Sequence, residues 1–417
     1  MEPGLSRHSA LGRSIGVVDA VLLGLGAMLG AGVFTALAPA AAAAGPWLPL
    51  ALTLAAAVAT CNAFSAADLA TAHPESGGTY VYATARLGRW PGRVAGVAFV
   101  AGKTCSAAAA AGALGGYLLP RHAAAVAVLT VAVVTAVNVA GVRWTVTANR
   151  VLVAAVLAVL AFVIAAGLAS PAAPPAEVTA APVGGAYGVL TAAGLLFFAF
   201  AGYARIATLG EEVRNPGRTL RLAIPLALGV ALAVYLLTAL AALHALGPAG
   251  LSGSTAPLAD VVAASPAARL TPMVRAGAAV AMVSVLLTVL VAISRTVLAM
   301  ARRADLPRSL AAIGGRGTPW RADLAGGTVA AVVAVLAGPV AAIALSACCV
   351  LVYYAITNAA ALRLPSAGRR WPRWTAYLGV AGCAVLAVSL PWQRVLTTAA
   401  VLVAGTALTG WHSRSRP

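Results

Sequence analysis

Long apolar runs alternate along the chain with short polar segments that contain arginine, proline or glycine. The runs are long enough to cross a hydrocarbon layer of ~30 Å as α-helices. They predict twelve membrane-spanning helices, near residues 15–38, 47–70, 91–119, 123–141, 146–169, 187–209, 220–246, 272–302, 322–338, 340–362, 374–391 and 393–411. The ninth and tenth helices, and the last two, are separated only by a Gly-Pro or a Pro-Trp turn. The count of twelve therefore depends on reading both turns as breaks.

Composition supports the membrane prediction. Of the 417 residues, 61% are hydrophobic and only 9% are charged, whereas soluble domains carry about 25% charged residues. This excludes a soluble enzyme and predicts an all-α integral membrane protein. The longest loops, 170–186 and 247–271, are rich in proline, alanine and glycine, so residues 1–417 are expected to form one membrane domain.

The net charge of +18 reflects topology rather than nucleic-acid binding, because arginine occurs in short clusters between the apolar runs. With the N-terminus in the cytoplasm, 21 arginines fall in cytoplasmic segments and four in outer segments. The positive-inside rule then predicts that both termini are cytoplasmic. The Ala- and Arg-rich usage fits a bacterial protein, and the expected location is the bacterial plasma membrane.

Enzymatic, metal-binding and channel functions have little support in the sequence. All five cysteines lie inside apolar runs, and no spaced set of metal ligands is present; we expect reduced, buried thiols and no metal or cofactor. A membrane enzyme needs a catalytic constellation at depth, and a channel needs pore-lining charges or a repeated filter. The chain has neither of these features.

The first and sixth predicted helices carry glycines near mid-span. The first contains Gly24, Gly26, Gly30 and Gly32, and the sixth contains Gly202. Such glycines either allow close helix packing or weaken the helix at about 1 kcal/mol each. The two helices open successive sets of five, so the second set starts on the opposite membrane face. Interruptions at matching positions indicate inverted repeats with a substrate site between the broken helices.

Broken helices suit a zwitterion, because the N-terminus of a half-helix attracts an anion and the freed carbonyls accept hydrogen bonds from an ammonium group. An α-amino acid satisfies both. Five segments extend the argument, namely Gly26-Ala-Met-Leu-Gly30-Ala-Gly32-Val-Phe34, His73-Pro-Glu75-Ser-Gly77-Gly78-Thr-Tyr80-Val-Tyr82, Phe198-Ala-Phe200-Ala-Gly202-Tyr203, Gly210-Glu211-Glu212-Val-Arg214-Asn-Pro216 and Ser294-Arg295-Thr-Val-Leu-Ala-Met-Ala-Arg302. On these segments the chain resembles amino-acid permeases of the amino acid–polyamine–organocation (APC) superfamily over nearly its full length.

The resemblance implies a fold and a site. The fold has ten core helices in two inverted repeats (LeuT-like), here about 15–169 and 187–362, with extra helices at 374–411 and alternating access by a rocking bundle. The resemblance assigns substrate binding to residues on the two interrupted helices, namely Gly26, Met28, Gly30, Ala31, Gly32, Phe198, Ala199, Phe200, Ala201, Gly202 and Tyr203. It implies that the carboxylate meets the backbone of 30–32 and the amine meets carbonyls around 198–201. Phe198 is a candidate aromatic gate, with a core phenylalanine as the alternative, and for Phe200 and Tyr203 packing is an equal alternative.

Lys103 is the one lysine of the chain. It lies about twelve residues into the third helix, roughly 18 Å from its start, where a cation costs at least ~2.5 kcal/mol and indicates function. Burial disfavours its charged form, so it can exchange a proton. All ten acidic residues fall at helix ends or in loops. Lys103 is therefore the candidate for proton coupling, and the alternative is a structural lysine bonded to loosened backbone.

Two arginines near the cytoplasmic ends of the sixth and eighth helices, Arg205 and Arg295, either extend to water or form a cytoplasmic gate with Glu211, Glu212 or Asp19. The predicted activity is secondary active transport of an amino acid, coupled to protons or by exchange. Neutral amino acids are favoured because no carboxylate at mid-membrane is available for a cationic side chain. Transport of amines or polyamines, sodium coupling through hydroxyls of Ser284 and Thr288, and a non-transporting amino-acid sensor stay open.

Overall fold

The computed structural model describes residues 16–73, 77–141, 146–173, 184–203 and 216–414. Within these ranges the chain is built from helices and contains no β-strand. The α-helices are α1 Val17–Met28, α2 Ala31–Thr35, α3 Leu37–Ala44, α4 Leu48–Ala72, α5 Thr79–Leu87, α6 Arg89–Leu118, α7 Ala123–Val139, α8 Val146–Leu168, α9 Gly185–Phe200, α10 Pro216–Gly253, α11 Pro257–Ala263, α12 Thr271–Arg302, α13 Trp320–Leu362, α14 Arg373–Val388 and α15 Trp392–Arg414.

The described residues contain ten helical segments that are long and apolar enough to cross a membrane. The expected count of twelve is not confirmed, for two reasons. The runs predicted at 322–338 and 340–362 follow each other within α13 and are separated only by a kink at Gly338, which has a φ of 68°. In addition, α14 has 16 residues and is classed as a shorter apolar helix. An all-helical membrane protein is the architecture that the structure supports.

The bend inside α13 has a local cause. Gly338 adopts a left-handed backbone conformation, with φ 68° and ψ 167°, which glycine reaches without steric cost. Pro339 follows and has no N–H to donate to the preceding turn. The Gly-Pro pair therefore interrupts the hydrogen-bond ladder at the position where the sequence predicts a turn.

The helices pack in two groups. In the first group, α10 contacts α1, α3 and α4, and α9 contacts α3 and α4. In the second, α6 packs along α7, α12 and α13. Alanine makes the contacts within the groups close, because the side chains of the run Ala107–Ala111 in α6 are fully buried and small residues let membrane helices approach. The interrupted helices belong to the first group, and Lys103 on α6 belongs to the second.

An arginine-rich face lies where α6 and α8 begin and α12 ends. The buried carboxylate of Asp305 accepts hydrogen bonds from Arg93 Nε at 2.9 Å and from the Tyr80 hydroxyl at 2.5 Å. Burial and this carboxylate raise the pKa of Tyr80 well above its ordinary value, so the phenol keeps its proton and remains the donor. Arg150 pairs with Asp19 on the same face, at 2.5 Å. The two bonds to Asp305 fix α5 and the start of α6 to the segment that follows α12.

Candidate functional site

The first membrane helix is interrupted at Leu29 and Gly30. Helix α1 ends at Met28, and α2 restarts the helix at Ala31. A Cβ atom on Gly30 would lie 2.0 Å from Val285 Cγ2 of α12, and one on Gly32 would lie 2.4 Å from Ala199 Cα of α9. Only glycine permits these approaches, because real Cβ contacts are not that short. The interruption is thus packed directly against α9 and α12.

The sixth membrane helix changes geometry at the same level. Helix α9 ends at Phe200 and continues as a 3₁₀ turn over Ala201–Tyr203. A Cβ atom on Gly202 would lie 2.3 Å from the Ala27 carbonyl oxygen and 2.7 Å from Met28 N. The two glycine-containing segments therefore cross in contact. Gly32 lies against α9, and Gly202 lies against the end of α1.

Gly26, which the resemblance assigns to the substrate site, packs elsewhere. A Cβ atom on it would lie 2.7 Å from Asn149 Oδ1 and 2.9 Å from Val153 Cγ2 of α8. Asn149 Nδ2 also donates to the Leu22 carbonyl at 3.3 Å. Close packing, one of the two explanations for the glycines of this helix, therefore describes Gly26, whereas Gly30 shows both close packing and an interruption.

Two buried tyrosines reach the carbonyls of the crossing. The Tyr235 hydroxyl of α10 lies 2.6 Å from the Met28 carbonyl oxygen and 3.1 Å from that of Ala199. The Tyr354 hydroxyl of α13 donates to the Ala201 carbonyl at 3.3 Å. Each carbonyl oxygen has two lone pairs; those of Met28 accept from Tyr235 and from Gly30 N at 2.8 Å, so the carbonyls of Ala199 and Ala201 are the candidates to accept from a ligand. The sequence argument missed both tyrosines, although a tyrosine inside an apolar run needs a buried partner and is a usable signal.

The backbone of α2 supplies donors at the same place. The first N–H groups of a helix have no acceptor within it, and the N–H groups of Ala31 and Gly32 make none of the described backbone bonds outside the helices. All residues from Ala31 to Ala38 are buried. Donors at the start of α2 thus lie beside carbonyl acceptors of Met28, Ala199 and Ala201, away from water.

The aromatic side chains of α9 differ in burial. Phe197 and Phe200 are fully buried, whereas Phe198 is 8% exposed. Phe200 packs edge-on against Tyr235, with ring centroids 5.1 Å apart, and Tyr203 packs against Tyr354 at 5.0 Å. Phe200 and Tyr203 thus both pack against tyrosine rings, and Phe198 is the most accessible of the α9 phenylalanines.

Lys103 is partly exposed and lies on α6, one residue from the contact between Gly102 and α13. Its Nζ lies 5.9 Å from the centroid of the Phe99 ring, a cation–π distance. Among the described residues it makes no hydrogen bond or ion pair. The described carboxylates lie at helix ends or in loops, Asp19 beside Arg150 and Asp305 beside Arg93. Lys103 is thus a membrane-embedded ammonium whose described contact is an aromatic ring.

The predicted cytoplasmic gate is only partly described. Arg295 is exposed and forms no ion pair with a described residue, which agrees with a side chain that extends to water. Asp19, one of its candidate partners, pairs with Arg150 instead. Arg205, Glu211 and Glu212 lie outside the described residues.

A tyrosine of α6 covers the far end of α2, beyond its contact with α9. The Tyr117 hydroxyl of α6 donates to the Phe34 carbonyl at 3.0 Å and accepts from Leu258 N at 3.3 Å. Arg275 Nη1 of α12 donates to the Tyr117 carbonyl at 2.8 Å. One tyrosine therefore joins the start of the short helix α11 to the continuation of the first membrane helix. The sequence argument did not identify this closure.

The hydroxyls considered for sodium are not grouped against the interruption. Thr288 is exposed, and its Oγ1 lies 2.9 Å from the Val285 carbonyl of its own helix. Val285, rather than a hydroxyl, contacts Gly30. No group of three or more His, Cys, Asp or Glu suited to a metal ion occurs within the described ranges.

Comparison with known proteins agrees with the geometry. The profile of one family, amino acid permease, matches residues 15–410. An uncharacterized transporter of Mycobacterium tuberculosis is 51% identical over 401 residues, covering 96% of this chain and 91% of that protein. Cationic amino acid transporter 2, vacuolar, of Arabidopsis thaliana is 29% identical over 360 residues (79% and 56%). Branched-chain amino acid permease BcaP of Bacillus subtilis is 26% identical over 351 residues (78% and 75%). Transport is the activity that these names share.

Proposed function

The chain belongs to the amino acid permease family and is a multi-pass membrane transporter, and on this premise we propose that it moves amino acids across the bacterial plasma membrane by alternating access. Transport is coupled to protons or proceeds by exchange. The observation that carries the proposal is the contact between the two interrupted helices, where a Cβ atom on Gly32 would lie 2.4 Å from Ala199 Cα. This contact brings the N–H groups at the start of α2 and the carbonyl groups at the end of α9 together at one buried place.

The substrate's carboxylate binds the N–H groups of Ala31 and Gly32 at the start of α2, beside Gly30, whose own N–H donates to the Met28 carbonyl at 2.8 Å. Helix N-termini attract anions through these free donors and the helix dipole. Its ammonium group donates to the carbonyls of residues 198–201, which Tyr235 and Tyr354 hold in place from outside. Phe198 closes over the bound molecule, because it is the most exposed phenylalanine of α9.

The architecture we propose has twelve crossings, with two inverted repeats of five helices and two further helices, α14 and α15. Gly338 divides α13 into two crossings, and the 16 residues of α14 cross the membrane at about 24 Å of helix length. Both termini lie in the cytoplasm, on the arginine-rich face. The group containing α1, α4, α9 and α10 rocks against the group containing α6, α12 and α13.

Reconstituted vesicles test the proposed activity directly. Vesicles that contain the purified protein are loaded with one of the twenty amino acids, with GABA or with putrescine. Counterflow of a labelled amino acid into these vesicles is then measured. We expect saturable counterflow with a subset of neutral amino acids, since no described carboxylate lies at mid-membrane to pair a cationic side chain. Counterflow with putrescine alone would replace the amino acid with an amine, and saturable binding without flux would identify a sensor.

Lys103 is the residue we propose for proton coupling. Its ammonium group lies within the membrane-spanning helix α6, and its described contact is the Phe99 ring. Substrate movement and proton movement are linked because α6 belongs to the group against which the interrupted helices move. A purely structural lysine would show a different response to substitution.

Two substitutions separate these roles. Lys103→Ala removes the titrating group, and Lys103→Arg keeps a positive charge that does not titrate. Both variants are expected to lose the stimulation of uptake by an inward proton gradient and to keep counterflow. Gradient stimulation equal to that of wild type in either variant contradicts the coupling role. Parallel loss of counterflow and thermal stability in both variants would instead identify a structural lysine.

A further inference from the structure

A groove runs between α7 and the first half of α13, on the surface of the helices that faces away from the protein core. Its volume is about 420 Å³, within the ~300–1,000 Å³ that small-molecule sites occupy. One wall consists of Ala132, Ala136 and Ala140, which recur every fourth residue and leave the groove unfilled. Val133 and Val329 beside it are 54% and 52% exposed. In a transporter such exposed apolar side chains face lipid, so the groove opens toward acyl chains.

The floor of the groove contains an unsatisfied hydroxyl. Thr135 lines the groove and is only 6% exposed, yet its Oγ1 makes no hydrogen bond. A Cβ atom on Gly327 would lie 2.2 Å from this oxygen, so glycine leaves the space that the hydroxyl occupies. Thr130 of the same helix instead donates to the Val126 carbonyl at 2.7 Å. A buried hydroxyl without a partner is costly in hydrocarbon. Threonine in a helix has two χ1 rotamers, and rotation of the Thr135 side chain from Gly327 toward the groove would bring its hydroxyl to a ligand carbonyl.

The end of the groove on the arginine-rich face carries a positive charge. Arg316 lines the groove, is exposed and forms no ion pair with a described residue. The loop that carries it is fixed to α7, because Thr318 Oγ1 donates to the Val139 carbonyl at 3.1 Å. Thr135 lies four residues before Val139, about 6 Å deeper along the helix. A cation at the membrane surface and a hydroxyl donor one turn deeper follow the order of a phospholipid's phosphate and ester carbonyl.

We propose that this groove binds an anionic phospholipid, with one acyl chain along the alanine wall, the phosphate on Arg316 and an ester carbonyl on the Thr135 hydroxyl. Charge decides between a lipid and a second copy of the chain. Each copy carries a net charge of +18, and a symmetric dimer on this surface would bring two Arg316 side chains together. Anionic lipid instead gains about 1 kcal/mol per arginine near the surface, or about fivefold in affinity.

Native mass spectrometry of the full-length protein tests the site. The protein is released from detergent with added phosphatidylglycerol or phosphatidylcholine of identical acyl chains, and the retained lipids are counted. Wild type is expected to retain one phosphatidylglycerol with about fivefold higher affinity than phosphatidylcholine. Arg316→Gln should remove this preference, and Ala136→Phe should prevent retention of either lipid by filling the groove. Both positions are exposed, and melting midpoints verify that the variants fold.

The control is Arg308→Gln, which removes an exposed charge from the same loop outside the groove and should leave the preference intact. Thr135→Val keeps the side-chain shape and should weaken retention of both lipids equally, because both have ester carbonyls. A preference that survives Arg316→Gln and Ala136→Phe overturns the proposal in favour of general attraction to net charge. Dimers in wild type that become monomers in Ala136→Phe would overturn it in favour of a second copy.

Discussion

Replacing Gly30 with alanine is expected to damage the interruption of the first membrane helix, and Val285→Ala is expected to reverse the damage. The added Cβ would lie 2.0 Å from Val285 Cγ2, whereas the next atoms, Val285 Cβ and the Ala281 carbonyl oxygen, lie 3.4 and 3.6 Å away. One methyl group therefore accounts for the severe overlap. Removing that methyl leaves contacts near the ordinary van der Waals range.

The magnitudes follow from the packing. An extra methyl in a filled core costs about 1–3 kcal/mol, so Gly30→Ala should lose that much stability. Val285 is 6% exposed, and Val285→Ala alone should cost about 1–3 kcal/mol through lost packing and a cavity. In the double variant the new methyl fills the vacated space. The two losses should therefore not add, and the coupling energy should reach ~1 kcal/mol or more.

The assay combines stability with transport. Melting midpoints in detergent and counterflow in vesicles are measured for wild type, both single variants and the double variant. The double variant should recover counterflow, because alanine at residue 30 leaves the N–H groups of Ala31 and Gly32, which the proposed carboxylate contact uses, in place. Gly229→Ala is the matched control, since a Cβ atom there meets nothing within 4 Å.

Two results would refute this reasoning. Gly30→Ala with the stability and counterflow of wild type would mean that the interruption does not depend on contact with α12. Losses that add in the double variant would mean that Val285 is not the obstacle. Recovered stability without recovered counterflow would support the packing argument and count against the proposed carboxylate contact at the start of α2.

Two further substitutions probe buried hydrogen bonds. Tyr235→Phe removes the donor shared by the Met28 and Ala199 carbonyls, so it should lower the free energy of unfolding by about 1–3 kcal/mol and slow counterflow. Tyr187→Phe, at a 57% exposed tyrosine, is the control and should change neither. Wild-type stability and counterflow in Tyr235→Phe would count against the bridging role. Asp305→Asn removes the buried carboxylate that accepts from Arg93, which is 13% exposed, and from Tyr80, and it should lower the melting midpoint by the equivalent of about 3 kcal/mol. Asp19→Asn, whose partner Arg150 is 51% exposed, should cost under ~1 kcal/mol, and equal shifts would contradict the difference in burial.

Several features of the fold could be predicted because their causes are local. The spans expected at 47–70 and 272–302 are helices at Leu48–Ala72 and Thr271–Arg302, since hydropathy over a single segment determines whether it enters the membrane. The break near Gly30 and the bend at Gly338 were likewise predictable, because glycine and proline act on the backbone where they stand. The count of twelve spans was less predictable, since it depends on how neighbouring helices continue through short turns.

The partners of buried polar groups were decided by the tertiary structure. Tyr235 meets the Met28 carbonyl across 207 residues, and Tyr80 meets Asp305 across 225 residues; nothing in either local sequence specifies the partner. The same holds for the glycines of the first helix, of which Gly26 packs on α8 and Gly30 admits Val285. Hydropathy and backbone freedom are properties of a segment, and the sequence alone determined where the long apolar helices lie and where the first of them breaks. Which groups meet at the break depends on packing between distant segments, which only the folded chain decides.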